Sequence, residues 1–493
     1  MEQIRKAFRE KDGNQIVSYL YFLLVTIAVP LYLEDHYFNV IEAKNHVFMA
    51  GAAVLFLLFC GFLFLKKSSF PKKLIPLEKL LIAFALIALL SALLSEHPLE
   101  ALSGVRGFGV GALPIALLVF FILILANDHW YPEDLWPLVC AVHIFIFFLT
   151  ILNSAEIDPF SLHEGIYLSQ LYFYVSTLGN VNWLVGYLCL LTPLLLFRYF
   201  REEKGINSVL NLITLILAIA NMVLCSSDVL FLSVGVFAFF FLPYLFADVR
   251  RLRKCAALLT VYGIMIITVM HMDAFRYKVA GFKDLIGFIY RSPLPYLLVI
   301  GGFAALWYLR KTEEVNPAVS RWIVRIVRIV IALCALYFVF DLLRAIINQN
   351  LKWGNKRLWL WKDSFHSFFH RFTPLQKLIG VGPELLDYWY VEVSKEITAH
   401  YNSAHSEWIQ TLLTMGVAGA LVYLLICGGI LLEYFRKGRK NSAALPYFLA
   451  LVAYMASGLV NSANMTNVAL MSVILALYLR EVKKEVKQNE KEN

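Results

Sequence analysis

Residues 409–432 read IQTLLTMGVAGALVYLLICGGILL, 24 residues without one charged side chain. A helix that crosses a bilayer needs roughly 20 mostly apolar residues. This stretch therefore predicts a membrane-spanning helix, and similar runs recur from Ile16 to Leu479. Across all 493 residues, 60% are apolar and 16% charged, with a mean hydropathy of +0.68. A soluble domain has about 45–50% apolar and about 25% charged residues. The excess is too large for a soluble core, so much of it must face lipid. A soluble enzyme, a disordered chain, a disulfide scaffold and a single membrane anchor are all excluded.

Fourteen segments fit a span: 16–33, 46–65, 77–94, 108–126, 135–152, 183–199, 206–224, 228–247, 256–272, 295–309, 322–343, 406–433, 445–461 and 465–480. The segment 295–309 is short, and only Asn461–Asn464 separates the last two. If two weak segments are re-entrant, the count is twelve. The expected fold class is an all-α, polytopic transmembrane helical bundle of 12–14 spans. The first segment follows basic residues, as a signal peptide would. However, it is long and is followed by Glu34-Asp35-His36 rather than a cleavage site, so a retained helix is expected.

The net charge of +9 fits basic cytoplasmic loops better than nucleic-acid binding. Lys66-Lys67, Arg198-Arg201-Lys204, Arg250–Lys254, Arg310-Lys311, Arg436–Lys440 and Arg480–Lys487 fall in alternate loops. This predicts both termini in the cytoplasm of a multi-pass membrane protein. The tail after Leu479 predicts a frayed cytoplasmic helix. The seven cysteines lie in or beside apolar runs without a CxxC pair, which predicts neither a disulfide framework nor a zinc site.

Two outer loops carry basic residues against the rule. One holds Arg276, Lys278, Lys283 and Arg291; the other is Arg344–Ala404, with eight Lys+Arg against five acids. Long loops escape the rule, or these cations hold an anionic ligand at the membrane surface. The larger loop also carries Trp353, Trp359, Trp361 and Trp389, suited either to an interfacial belt or to the faces of sugar rings. Within it, Arg357–Phe372 predicts an amphipathic interfacial helix with Trp361, Phe365, Phe368 and Phe372 on one stripe. Gly380-Val-Gly-Pro383 then predicts a turn. His405 stands at the mouth of the 409–432 run. There the helix dipole disfavours its charged form and suits it to accept a proton. Headgroup contact is the alternative. Asp228 and Asp341 are isolated acids, and His163-Glu164 have no nameable partner.

Three stretches together carry a family resemblance. Ser95-Glu-His-Pro-Leu-Glu-Ala-Leu-Ser-Gly-Val-Arg-Gly107 looks like an early outer loop of the O-antigen ligase and polymerase superfamily. Ser176-Thr-Leu-Gly-Asn180-Val-Asn182-Trp-Leu-Val-Gly-Tyr187 resembles that family's Asn-rich helix start. Arg357–Trp361, Gly380–Pro383, Ala404–Trp408 and Gly416–Gly419 resemble its signature domain. The resemblance spans roughly residues 95–430.

It implies transfer of a glycan from an undecaprenyl-pyrophosphate carrier to a glycan, lipid or protein acceptor. The reaction would lie on the outer face of the cytoplasmic membrane, in surface polysaccharide biosynthesis. No metal and no cofactor is implied, and no nucleic-acid partner; membrane lipid is. It maps a catalytic base onto His405, preferred to His400, and a phosphate contact onto Arg357. Substrate-binding candidates are Glu407, Arg276, Lys278, Arg291, Trp361, Asn180 and Asn182, with Glu407 serving either a substrate hydroxyl or its own helix N-terminus. Ser227 stands where many members carry an arginine, so Arg276, Lys278 or Arg291 must replace it or the donor is handled differently. The expected division is 1–205, N-terminal helices; 206–433, a ligase-like domain with outer loop 344–405; and 434–493, C-terminal helices and tail. The alternatives are a transporter or flippase of lipid-linked saccharide, or a non-catalytic lipid-binding subunit.

Overall fold

A computed structural model describes residues 12–105, 107–130, 132–201, 205–225, 227–282, 284–391, 402–438 and 442–492. Residues 1–11, Arg106, Lys204, Lys283, His400, Arg439 and Lys440 lie outside the described residues.

The chain is a multi-pass helical membrane protein, and each of the fourteen apolar segments is a helix. Among the described residues, ten helices are long and apolar enough to cross a membrane. Three more are apolar but shorter: Ala112–Ala126, Val229–Leu245 and Leu445–Gly458. The remaining segment, Leu294–Arg310, is bent by 59° from the short helix Leu285–Arg291 before it, as a broken or re-entrant span would be. Among the described residues the only strand pairing is Tyr174–Val175 with Gly179–Asn180. The last helix runs Met465–Glu492, so the basic tail continues it.

Local chemistry sets the helix starts. Proline, whose missing N–H costs nothing in a first turn, opens Pro76–Leu93, Pro317–Ile347 and Pro374–Ile379. Asn180, Asp248, Asn316 and Ser406 cap their helices through side-chain oxygens that accept backbone N–H bonds.

Val181–Phe200, Leu445–Gly458 and Met465–Glu492 form the centre of the bundle, while Pro317–Ile347 lies at its edge with most of its apolar surface exposed. Helices from all three expected divisions pack in this one bundle. Several polar groups in the interior are paired, as a medium without water favours. His143 Nε2 lies 2.7 Å from Tyr187 Oη, and Lys44 Nζ donates to the carbonyls of Pro30 and Tyr32 at 2.8 and 2.6 Å. The two acids that look isolated in sequence are not: Asp228 accepts the N–H groups of Leu285 and Ile286, and Asp341 accepts from Trp353 Nε1 at 2.7 Å. His163 likewise pairs with Asp158, at 3.3 Å, and with the Tyr174 carbonyl.

The large loop is fastened to Glu407–Glu433 by backbone. That helix breaks at Gly416, at φ +66° and ψ −169°, which releases two carbonyls from the helical ladder. Leu413 C=O accepts from Val381 N–H and Thr414 C=O from Gly382 N–H, both at 3.1 Å. Ser91 Oγ adds a bond to the Thr414 carbonyl at 2.7 Å. The main chains at Gly380 and Gly416 come too close for side chains. A Cβ on Gly380 would stand 2.1 Å from the Thr414 carbonyl, and one on Gly416 2.3 Å from that of Leu378. The turn expected at Gly380–Pro383 is thus one half of a seam whose other half is the Gly416 break.

Candidate functional site

The seam sets the loop helix Trp353–His370 beside the start of Glu407–Glu433. Leu360, Ser364, Ser367 and Phe368 on it and Phe372 just beyond its end are buried, with Trp361 half-buried beside them. The expected stripe is therefore rotated: Phe365 is exposed, and the helix packs on protein through a neighbouring face. Trp361 Nε1 donates to the Ala404 carbonyl at 3.0 Å. Arg357 lies one turn before Trp361, at i and i+4 on the same face.

His405 is held from several directions. Its φ is +47°, an uncommon conformation for a residue with a Cβ. Its N–H donates to Ser403 Oγ at 3.2 Å, and Ser403 Oγ lies 2.6 Å from Ser462 Oγ. The Ala404 N–H donates to Gln410 Oε1 at 2.9 Å, and the Glu407 N–H to the Asn461 carbonyl at 3.0 Å. Such over-determination is how a strained backbone persists at working sites. Burial first, and then the Arg357 charge, lower the His405 pKa to about 4, so the imidazole is neutral near pH 7. Burial also lowers that of Arg357, and Asp228 opposes the shift. Among the described residues, Arg357 Nε has no hydrogen-bond partner. A neutral imidazole and a half-buried guanidinium therefore share one corner, the first able to take a proton and the second to meet negative charge.

Asn461 joins this corner to the Asn-rich helix start. Its Nδ2 donates to the Asn182 carbonyl at 3.4 Å, and Ser227 Oγ donates to Asn182 Oδ1 at 2.9 Å. Asn180 is a helix cap whose Oδ1 accepts the Asn182 N–H at 2.8 Å.

Residues 285–424 match the O-antigen ligase family. This domain match supports a likeness to the O-antigen ligase and polymerase superfamily for the chain. No curated protein matches it. The ligase match encloses Arg357, both seam glycines and His405, and begins inside the short helix that Asp228 caps.

Other expected residues sit differently around this ligase domain. Glu407 turns into the bundle, where Tyr454 and Tyr423 hydroxyls donate to its two oxygens at 2.5 and 3.1 Å. That arrangement suits positioning of the helix start rather than contact with a substrate. Arg276 and Arg291 are exposed, and Arg291 donates to the Val279 carbonyl. Lys278 is buried, close enough for its charge to act on Cys225, two residues before Ser227. Burial lowers the Lys278 pKa to about 8.

Sequence reasoning missed Asn461 and Glu384. Glu384 is buried with φ +63°, and its Oε2 accepts the Phe108 N–H at 2.5 Å. Nearby, the His97 and Tyr388 rings stack with centroids 4.1 Å apart, and the Tyr388 hydroxyl donates to Glu100 at 2.6 Å. The early outer loop is thus docked onto the ligase domain. An acid after Gly382-Pro383 in a basic loop was the one available signal.

Burial raises the Glu384 pKa from 4.5 to about 7, against the opposing Phe108 N–H. Between those values the folded state keeps a proton that the unfolded chain has lost, so stability falls as pH rises through the window. Glu384→Gln keeps an acceptor and removes the titration. We expect its unfolding temperature in detergent to match the parent at pH 5 and exceed it at pH 8. A variant that is less stable at pH 8 than at pH 5, as the parent is, would reject this account.

Proposed function

We propose that the chain transfers a glycan from an undecaprenyl-pyrophosphate carrier to an envelope acceptor on the outer face of the cytoplasmic membrane. The observation that carries the reading is the meeting of His405 and Arg357 within the ligase domain. Basic loops gathered at the opposite end of the bundle support the sidedness.

In this reading an acceptor hydroxyl attacks the anomeric carbon. The bond from that carbon to the pyrophosphate oxygen breaks, and the hydroxyl proton passes to His405. Charge builds on the departing phosphate, where Arg357 meets it. The donor also tunes the base: its phosphates offset the guanidinium charge that depresses the imidazole pKa. Lys278 takes the place of the cation missing at Ser227, since it is buried with its charge acting on Cys225, two residues from that serine, while Arg276 and Arg291 are exposed.

The test is purified protein in lipid with an undecaprenyl-pyrophosphate glycan and an envelope acceptor, with EDTA present. Conjugate and free carrier pyrophosphate are expected in equal amounts. Lys278→Met should raise the KM for donor roughly tenfold, the size of one lost charge-assisted contact. Donor binding without turnover on any envelope acceptor would replace the enzyme by a transporter or a binding subunit.

A further inference from the structure

At the other end of the bundle lies a second feature that the transfer reaction does not use. The helices Gly13–Leu31, Pro132–Ser154, Val181–Phe200, Leu445–Gly458 and Met465–Glu492 enclose a cavity of about 250 Å³. Its inner wall is mostly hydrocarbon, including Phe22, Val139, Leu194, Val473 and Leu477, with Thr26 and His143 as polar groups. Its mouth carries Arg198, Arg201, Arg480 and Lys484 against Glu133 and Glu481, an excess of two positive charges.

The cations are held in place around this mouth. Arg198 lies over the Trp136 ring at 4.6 Å and Arg201 over the Phe197 ring at 4.7 Å. Arg480 donates to the Trp130 carbonyl. Glu481 is already engaged, by Lys484 at 2.7 Å and Arg480 at 3.5 Å. The mouth is far from the reaction: Asn182 and Arg198 belong to one helix and are 16 residues apart, roughly 24 Å along its axis.

We propose that this cavity binds one anionic phospholipid of the leaflet remote from His405. Its phosphate lies at the arginine mouth and the first part of one acyl chain lies inside. A soluble anion has no use for the hydrocarbon wall. A zwitterionic lipid brings an ammonium group into a mouth that already has surplus positive charge. Basic pockets between spans at the cytoplasmic end suit anionic headgroups for this reason. The cavity lies between the two most buried long helices, so an occupant ties Val181–Phe200 to Met465–Glu492.

The full chain, delipidated in detergent, is titrated with phosphatidylglycerol or phosphatidylcholine, and retained lipid is counted by native mass spectrometry. The parent is expected to retain one phosphatidylglycerol in preference to phosphatidylcholine. Arg201 and Lys484 are exposed, so Arg201→Ala with Lys484→Ala tests the mouth without disturbing the core. The pair should lower retention of phosphatidylglycerol roughly thirtyfold, at about 1 kcal/mol per cation, and leave phosphatidylcholine unchanged. Leu194→Trp narrows the inner wall at a half-buried position and should lower retention of both lipids. Equal retention of the two lipids by the parent, or parental retention by both variants, would overturn the proposal. So would inorganic phosphate displacing the bound lipid.

Discussion

His405→Ala is expected to lose glycan transfer by about 10²–10⁴-fold, the usual contribution of a positioned general base, while donor binding is retained. The imidazole's pKa of about 4 gives a second signature. A base that stays neutral down to about pH 4 leaves kcat/KM flat through neutral pH, and activity falls only as pH drops through that value. Arg357→Ala removes the charge that helps to depress the imidazole. Its acid limb should therefore move up towards the ordinary histidine value of 6.5, and donor affinity should fall with it. A merely structural role for Arg357 would change the rate and leave the limb in place. Full transfer by His405→Ala would remove His405 from the mechanism, with His400 as the next candidate.

The second large effect is expected at the seam. Gly416 combines φ +66° with ψ −169°, a region open essentially to glycine alone. Strain of about 1–3 kcal/mol is the smaller part of the cost of Gly416→Ala. The new Cβ would also overlap the Leu378 carbonyl, which is main chain and cannot rotate away. Gly380→Ala meets the Thr414 carbonyl in the same way. Each substitution should separate the loop from the helix, abolish transfer and speed proteolysis within 344–405. Gly428→Ala is the control: it lies in the same helix, and a Cβ there meets nothing within 4 Å. Parental stability for Gly416→Ala would show that the backbone bonds at Val381 and Gly382 do not hold the loop.

Spans are local, so they could be read from the chain. A run of apolar residues with caps and prolines at its start carries its own description, and all fourteen segments are helices. The irregularity at 295–309 was also legible, as an apolar run too short to span with ease. What could not be read were the joins. Phe108 with Glu384, Asn182 with Asn461 and Ser91 with Thr414 are contacts across hundreds of residues, with no periodicity to announce them. Helix faces failed for a related reason. The stripe through Phe365 is correct as a helix, but which face meets protein depends on where Gly380 anchors the chain. His405 and Arg357 were legible from motif likeness. Their mutual electrostatic effect was not, since it arises only when the seam closes. Glu407 stood in a motif, yet its carboxylate is held by Tyr423 of its own helix and Tyr454 of another span.

The seam is built from main-chain N–H and C=O groups and two bare glycines. It therefore makes no demand on the side chains that the loop displays. Exposed positions such as Lys356, Lys362, Phe369 and Leu375 can be rewritten while the Val381 and Gly382 bonds remain. In the proposed reading, recognition of the acceptor and execution of the transfer can therefore change independently. Under that reading, the outer surface of the loop can be fitted to a new acceptor while His405 and Arg357 keep their places.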